Sequence, residues 1–470
     1  MGQSMEKILV AGAGLVGSLL SIYLARLGHQ VQIFDRYPDF RESEVPGGKS
    51  INLTLCQRGF SALDRVGVGD RVRSISVPCY GRVIHNADGT VEYQPYGTRR
   101  EAIYSVSRNH LNRVLLGLAL EQPTLECYFK KKILEVDLTL PSLTLRDLRT
   151  GELTEYRGDR LFGADGAHSA VRTQMQRSRR FDFQQVYLEQ AYKELSVAPG
   201  ADGSWALEGN AIHIWPRNHY MLIGFPNLDH SFTLSLHMAY EGAEPAFSSV
   251  LTPDDLQDLF RTSFPDAVPL LPNLVSDFFG RPEASMITVR CFPWTYEDKV
   301  LLIGDAAHAI VPSYGQGANS GFEDCSVLAD CLAEYGDDWR QVFARFEAQR
   351  KPNADAIGDL ALEHFHELRD LVGDREFQLR KKVERRLNEL YPDRYIPLYN
   401  LISFTNVTYV EALKRERRQR TLLDRLMANA AVRERLERGD SEESLDPLLS
   451  DLTMEFFGQP MARESGRSAA

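Results

Sequence analysis

The feature that most constrains this chain lies near its start. Lys7–Arg36 reads KILVAGAGLVGSLLSIYLARLGHQVQIFDR. Ile8, Leu9 and Val10 form a short apolar run, suited to a strand covered on both faces. Gly12-x-Gly14-x-x-Gly17 follows at once. A helical pattern then runs from about Leu15 to Leu27, Gly28 ends it, and Val31–Phe34 makes a second strand that closes on Asp35. This order is a dinucleotide-binding βαβ unit. Gly12 makes the tight turn, Gly14 lets a pyrophosphate reach the backbone, and Gly17 lets the helix sit close on the sheet. Asp35 is placed to accept hydrogen bonds from a ribose hydroxyl. The unit predicts an α/β fold with a Rossmann-type domain. It does not by itself choose between NAD and FAD.

Two remote segments narrow the choice. Leu161–Arg172 reads LFGADGAHSAVR: a short strand, then Gly163-Ala164-Asp165-Gly166, then Ser169 and Val171-Arg172 entering a helix. Its small residues allow close backbone packing, with Asp165 set to act electrostatically near a cofactor. Lys299–Asp324 reads KVLLIGDAAHAIVPSYGQGANSGFED. Val300–Ile303 is a buried strand, Gly304-Asp305 ends it, and Gly315-Gln316-Gly317-Ala318-Asn319 opens a helix. That helix start aims unpaired N–H groups and a positive dipole end at whatever lies beneath, which suits a flavin's pyrimidine edge. No second GxGxxG occurs. His308 has no metal-ligand partner at a suitable spacing and reads as structural.

At 470 residues the chain predicts two or three domains. A net charge of -11 argues against generic nucleic-acid binding. The six cysteines are scattered, without a Cys-x-x-Cys pair, and read as reduced thiols. No segment approaches the ~20 apolar residues of a membrane span, and no leader precedes the first strand, so the expectation is a cytoplasmic protein. Oligomeric state is left open.

We divide the chain as follows. Residues 1–180 form the first part of the cofactor domain, with a hairpin at 82–96 turning at Asp88-Gly89 and contributing to the substrate site. Residues 181–292 form an antiparallel β-sheet substrate domain, a roof over the cofactor. Residues 293–372 return to the cofactor domain, and 373–470 form a helical C-terminal region with a disordered tail from about Gly458. Separate helices are expected at Asp337–Gln349 and Asn353–Leu371, and one long helix from about Tyr409 to Arg438. The latter is basic, with Leu422, Leu423, Leu426 and Met427 as an apolar stripe that packs on the protein. Arg82, read alone, is a solvated hairpin residue. Arg108 opens a helix, where the dipole disfavours a base, unless it reaches an anionic phosphate.

Taken together, the three glycine-aspartate segments resemble the single-component flavoprotein aromatic hydroxylases. Further segments resemble the kynurenine 3-monooxygenase family among them: Ser50-Ile51-Asn52-Leu53, Gly81-Arg82, Gln94-Pro95-Tyr96-Gly97, Tyr192-Lys193-Glu194-Leu195, Asn210–Arg217 and Gly304–Asp324. The resemblance implies bound FAD, NADPH as electron donor and O2 as oxidant, with an aromatic amino acid hydroxylated ortho to its ring amine. No side chain is assigned as catalytic, because the flavin carries the oxygen chemistry. Implied substrate contacts are Arg82, Tyr96, Tyr399, His364 and Ser313. Implied cofactor contacts are Gly12, Gly14, Leu15, Val16, Gly17, Asp35, Arg36, Thr54, Arg108, Ile133, Asp165, Asp305, Gly317, Ala318 and Asn319. The chain departs from the family pattern at His364, usually Asn, at Ser313, usually Phe, and at Ala318, usually Met. Ser for Phe enlarges and wets the pocket, which points toward kynurenine or a substituted analogue. The alternatives are a hydroxylase of another aromatic acid and a flavin-binding protein without turnover.

Overall fold

In the computed structural model, residues 5–42, 52–97, 100–178, 180–242, 244–367, 374–438 and 441–457 are described. Ser50, Ile51, the end of the helix expected to reach Leu371 and the tail from Gly458 lie outside them.

Ile8, Leu9 and Val10 are fully buried in the strand Lys7–Ala11, at the middle of a six-stranded sheet. The strand order is Thr295–Tyr296, Val300–Leu302, Arg160–Gly163, Lys7–Ala11, Gln30–Phe34, Leu125–Tyr128. All neighbours are parallel except the first pair. The three glycine-aspartate segments therefore leave the carboxyl ends of three adjacent strands, where open parallel sheets bind ligands. The helix Leu15–Arg26 packs against Gly317–Tyr335 and Arg108–Leu120, so all three segments share one apolar core.

A seven-stranded sheet forms the roof, in the order Ala284–Phe292, Asp182–Val197, Phe232–Ala239, Tyr220–Pro226, Ala211–Arg217, Gly81–His85, Val91–Pro95. The hairpin around Asp88-Gly89 joins this sheet through a parallel pairing of Gly81–His85 with Ala211–Arg217. Register sets which side chains face the cofactor domain. Ile212 stands opposite Arg82, Ile214 opposite Ile84 and Ile223, and His237 opposite both Met221 and Tyr192. Directly paired residues share a face, so these form one inner surface. The outer face packs Trp215, Leu222, Leu234 and Leu236 against Phe260 and Phe264 of the helix region that follows.

Two helix expectations are corrected. Trp339–His366 is one helix, with Pro352 inside it. A proline removes one ladder donor, but Arg350 and the apolar face of this helix are clamped onto Gly317–Tyr335, and the Asn353 amide donates to the Gln349 carbonyl at 2.7 Å. The basic helix is two, Tyr409–Ala428 and Ala430–Arg438. Asn429 is extended, and its side-chain oxygen accepts from the Ala431 and Val432 N–H groups, capping the second. Leu422, Leu423, Leu426 and Met427 are buried against Val383 and Leu387, as the stripe predicts. Among the described residues no helix is long and apolar enough to cross a membrane.

Candidate active site

Two glycines of the cradle, Gly12 and Gly17, leave no room for a side chain. Gly12 has φ +101°, and a Cβ there would stand 2.5 Å from the Ala164 carbonyl oxygen. A Cβ on Gly17 would stand 2.0 Å from the Gly12 carbonyl oxygen. The first helix thus sits directly on its own turn, and that turn sits on the second segment. A Cβ on Gly14 would meet nothing within 4 Å, because this residue faces open space. Asp35 accepts from the Ala13 N–H through one oxygen and from the Tyr37 N–H through the other, both at 2.8 Å. Burial raises its pKa, against these bonds. Arg172 clasps the second segment to the third, donating to the Ala306 carbonyl at 2.8 Å and to the Ala167 carbonyl. One Asp165 oxygen accepts from the Ala170 N–H at 2.7 Å, and the other is buried with no partner among the described residues.

Between cradle and roof lies one cavity of about 980 Å³. Gly12, Gly14, Leu15, Val16, Asp35, Arg36, Thr54, Arg108, Ile133, Asp165, Asp305, Gly317 and Ala318 line it on the cofactor side. Arg82, Tyr96, Ser313, His364 and Tyr399 line it at the other end. Two predicted contacts stand outside the wall. Gly17 packs helix on turn, as its spacing implies. The Asn319 side chain is a brace: its amide donates to the Thr54 and Gly315 carbonyls at 2.8 and 2.7 Å and accepts from the Cys56 N–H at 3.0 Å, while its backbone N–H lies in the first turn of the helix Gly317–Tyr335, where a ligand can meet it.

The far end is an aromatic cage around a cation. The Arg82 guanidinium lies 5.4 Å from the Tyr96 ring centroid and 5.1 Å from that of Tyr399. These rings stack at 5.3 Å, and Tyr314 stacks on Tyr399 at 5.7 Å. No carboxylate pairs with Arg82 among the described residues. Burial raises the Tyr96, Tyr314 and Tyr399 pKa values, so all three hydroxyls stay protonated. His364 lies against Tyr314, the rings tilted by 43° with centroids 4.4 Å apart, and its Nδ1 is 3.4 Å from Glu367. Burial lowers its pKa, so it is a neutral hydrogen-bonding group. The Ser313 hydroxyl donates to the Ala361 carbonyl. The smaller side chain leaves room, and its hydroxyl proton is turned to the helix that carries Ala361.

Under the Gly304-Asp305 turn runs a buried ionic network that the sequence does not announce. Asp324 is fully buried and accepts from the Gly304 N–H at 3.1 Å, from His308 Nε2 at 2.6 Å and from Arg350 Nε at 2.6 Å. Burial pushes its carboxyl up, but His308 and Arg350 outweigh that and hold it below the ordinary range. Arg350 also pairs with Glu323, which pairs with Arg58, whose guanidinium lies over the Tyr409 ring at 4.1 Å. His308 is structural, as its isolation predicts. Tyr314, His237 and Tyr192 also line the cavity without having been singled out as contacts. The two-residue alternation of the roof strands could have selected His237 and Tyr192 as inward-facing.

A βαβ cradle, a helix start aimed into the cavity and an overlying β-sheet define a flavoprotein of the monooxygenase fold. Residues 5–361 match the FAD binding domain family. The chain is 47% identical over 411 residues to kynurenine 3-monooxygenase of Flavobacterium johnsoniae, covering 87% of this chain and 91% of that protein. It is 44% identical over 448 residues to kynurenine 3-monooxygenase of Flavobacterium psychrophilum, covering 95% and 99%. The chain belongs to the kynurenine 3-monooxygenase family. In fold it resembles 2-methyl-3-hydroxypyridine-5-carboxylic acid oxygenase, with TM-score 0.64 and 22% identity over 78% of this chain and 94% of that one. The residues present fit FAD. Gly14 leaves backbone open to a pyrophosphate, Asp165 lines the same space, and the helix that starts at Gly317 presents its first-turn N–H groups there.

Proposed function

We propose that the protein uses NADPH and O2 to hydroxylate L-kynurenine, or a close aryl-amine analogue, at the ring position ortho to the amine. The observation that carries this reading is the Arg82 guanidinium, held between Tyr96 and Tyr399 without a carboxylate partner among the described residues, at the end of the cavity remote from the cradle. A planar cation left unneutralised in an aromatic cage suits the carboxylate of an amino-acid substrate. Bound FAD, reduced by NADPH, supplies activated dioxygen, one atom of which enters the ring while the other leaves as water.

The chain's own residues bind, orient and dry the site. Arg82 takes the carboxylate by paired hydrogen bonds, and the Tyr96 and Tyr399 hydroxyls stand beside it. Neutral His364 is placed to hydrogen-bond the amino-acid end. Ile212, Ile214, Ile223 and Phe225 form the apolar inner surface of the roof and hold the ring over the cradle. Excluding water there favours transfer to the ring over loss of the oxidant as peroxide. Helix N–H groups at Gly317 and Ala318 stabilise negative charge at the cofactor's edge, and Arg108, exposed at its helix start, is free to meet a phosphate. In this reading residues 1–180 and 293–372 carry the cofactor and 181–292 the roof. Residues 373–470 supply the helical wall from which Tyr399 enters. Six free thiols, five of them buried, fit the reducing cytoplasm.

The test is NADPH oxidation by the purified yellow protein with L-kynurenine, reading product mass and peroxide together. A product one oxygen heavier with little peroxide supports the reading. Rapid oxidation giving mostly peroxide places the true substrate among analogues. A flavin-loaded protein that oxidises NADPH with no aryl amino acid refutes it in favour of the non-catalytic alternative.

A further inference from the structure

His364 lies near the end of the helix Trp339–His366 and lines the cavity beside Tyr314 and Tyr399. Glu367 follows it by one helical turn, and its Oε2 lies 3.4 Å from His364 Nδ1. The side chain of His364 is 13% exposed and that of Glu367 37%. Glu367 stands behind the cavity wall, so the pair runs from the wall toward the surface.

Charge decides where the ring proton resides. Burial raises the Glu367 pKa, but the bond from His364 and the nearby Lys381 and Arg420 outweigh it and hold the carboxyl below the ordinary range. An ionised carboxylate only accepts, so His364 Nδ1 carries the proton and donates. Burial keeps the ring neutral against the pull of Glu367, and the positive charges of Arg82 and Lys381 act in the same direction. A neutral imidazole has one N–H, so Nε2 holds a lone pair. Nε2 makes no hydrogen bond among the described residues. Unlike Nε2 of His29, it is not sealed off from contact. The wall thus offers an acceptor that no protein donor fills.

Distance ties this acceptor to Arg82. The His364 ring centroid is 6.4 Å from that of Tyr399, and the Tyr399 centroid is 5.1 Å from the Arg82 guanidinium carbon. Those two distances laid end to end are the greatest separation that ring and cation can have. An α-amino acid with its carboxylate on the guanidinium and its nitrogen on Nε2 spans roughly 10 Å between them, which is within that limit. One head group can therefore meet both.

Resting on the kynurenine reading above, we propose that Glu367 is a positioning residue that fixes the His364 proton on Nδ1, so that Nε2 accepts from the α-ammonium group of the substrate. An ammonium has donors and no acceptor, so the opposite tautomer would set an N–H against it. The site then selects α-amino acids over aryl acids that present a carboxylate alone.

The test uses the FAD-loaded full chain and calorimetric Kd values. The ligands are L-kynurenine and its desamino analogue, which carries hydrogen in place of the α-amine. The proteins are wild type, Glu367→Leu and Glu367→Gln. Wild type should bind L-kynurenine about 10-fold more tightly than the analogue, the weight of one hydrogen bond to a charged group. Glu367→Leu should erase that ratio by weakening L-kynurenine alone. Glu367→Gln, whose carbonyl can still accept from Nδ1, should keep most of it. Equal binding of the two ligands by wild type, which needs no variant to fold, overturns the proposal. So does a Glu367→Leu protein that keeps the ratio, or that loses affinity for both ligands alike, as a merely structural role would require. A Glu367→Gln protein that falls as far as Glu367→Leu overturns the tautomer argument. Binding without discrimination is distinct from no binding of either ligand by the flavin-loaded protein. The latter overturns the parent reading and this one with it.

Discussion

Replacing Arg82 by Met tests the carboxylate cage most directly. The methionine keeps an apolar stem between the Tyr96 and Tyr399 rings, which lie 5.4 and 5.1 Å from the guanidinium carbon, so the cage stays filled. No carboxylate of the protein is left unpaired, because Arg82 pairs with none among the described residues. What is lost is a charge-assisted hydrogen bond to substrate, worth about 1.5–3 kcal/mol. That predicts a fall in kcat/KM of roughly 10- to 150-fold. A group that grips the substrate equally in ground and transition states acts on KM, with kcat little changed. Arg82→Lys keeps the charge but loses the planar fork, and should fall between the two. The assay is steady-state NADPH consumption with product quantified, beside the flavin absorbance of each variant. A KM within twofold of wild type for Arg82→Met, with full flavin content, would refute the assignment. Loss of flavin instead would mean that the cage supports the fold.

Two further outcomes follow from buried charge. Asp324→Asn removes the partner of Arg350 Nε and His308 Nε2 beneath the Gly304 turn. Breaking such a pair destabilises by about 3–5 kcal/mol, so the variant should unfold at lower urea and release FAD sooner. Wild-type behaviour in both measurements would sink the claim that this network holds the turn. Burial lowers the pKa of His213 and of His237 from 6.5 to about 4. Each binds fewer protons folded than unfolded between those values, so stability rises with pH through that window and is lost on acidification. Between pH 7 and pH 5 each should cost about 2 kcal/mol. His237→Phe should lessen the drop in urea midpoint, the buried His29, His85 and His364 keeping part of it, and an unchanged midpoint at pH 5 would contradict the reasoning.

Much of the cofactor side was legible because its requirements are local. A backbone at φ +101° or a helix resting on its own turn demands glycine at a fixed spacing, whatever the rest of the chain does. Helix limits were less legible. Packing carries one helix through Pro352 against its local signal, while at Asn429 a local side-chain cap divides a helix whose apolar stripe suggested continuity. The bracing role of the Asn319 side chain was not legible, because two of the three backbone groups it satisfies, at Thr54 and Cys56, come from a segment distant in sequence.

By itself the sequence determined the α/β class, the cofactor cradle and, through resemblance, the kind of chemistry. Short motifs encode turns, close approaches and helix starts, which are set within a few residues. Only the tertiary structure decided which polar groups are partnered. Arg82 meets Tyr96 and Tyr399 without a carboxylate among the described residues, Asp324 finds Arg350, and Asn319 finds the Thr54 carbonyl and the Cys56 N–H. Those outcomes depend on strand register and on the packing of helices far apart in the chain. Both follow from burying the apolar faces of the whole molecule together, and neither can be read from any one segment.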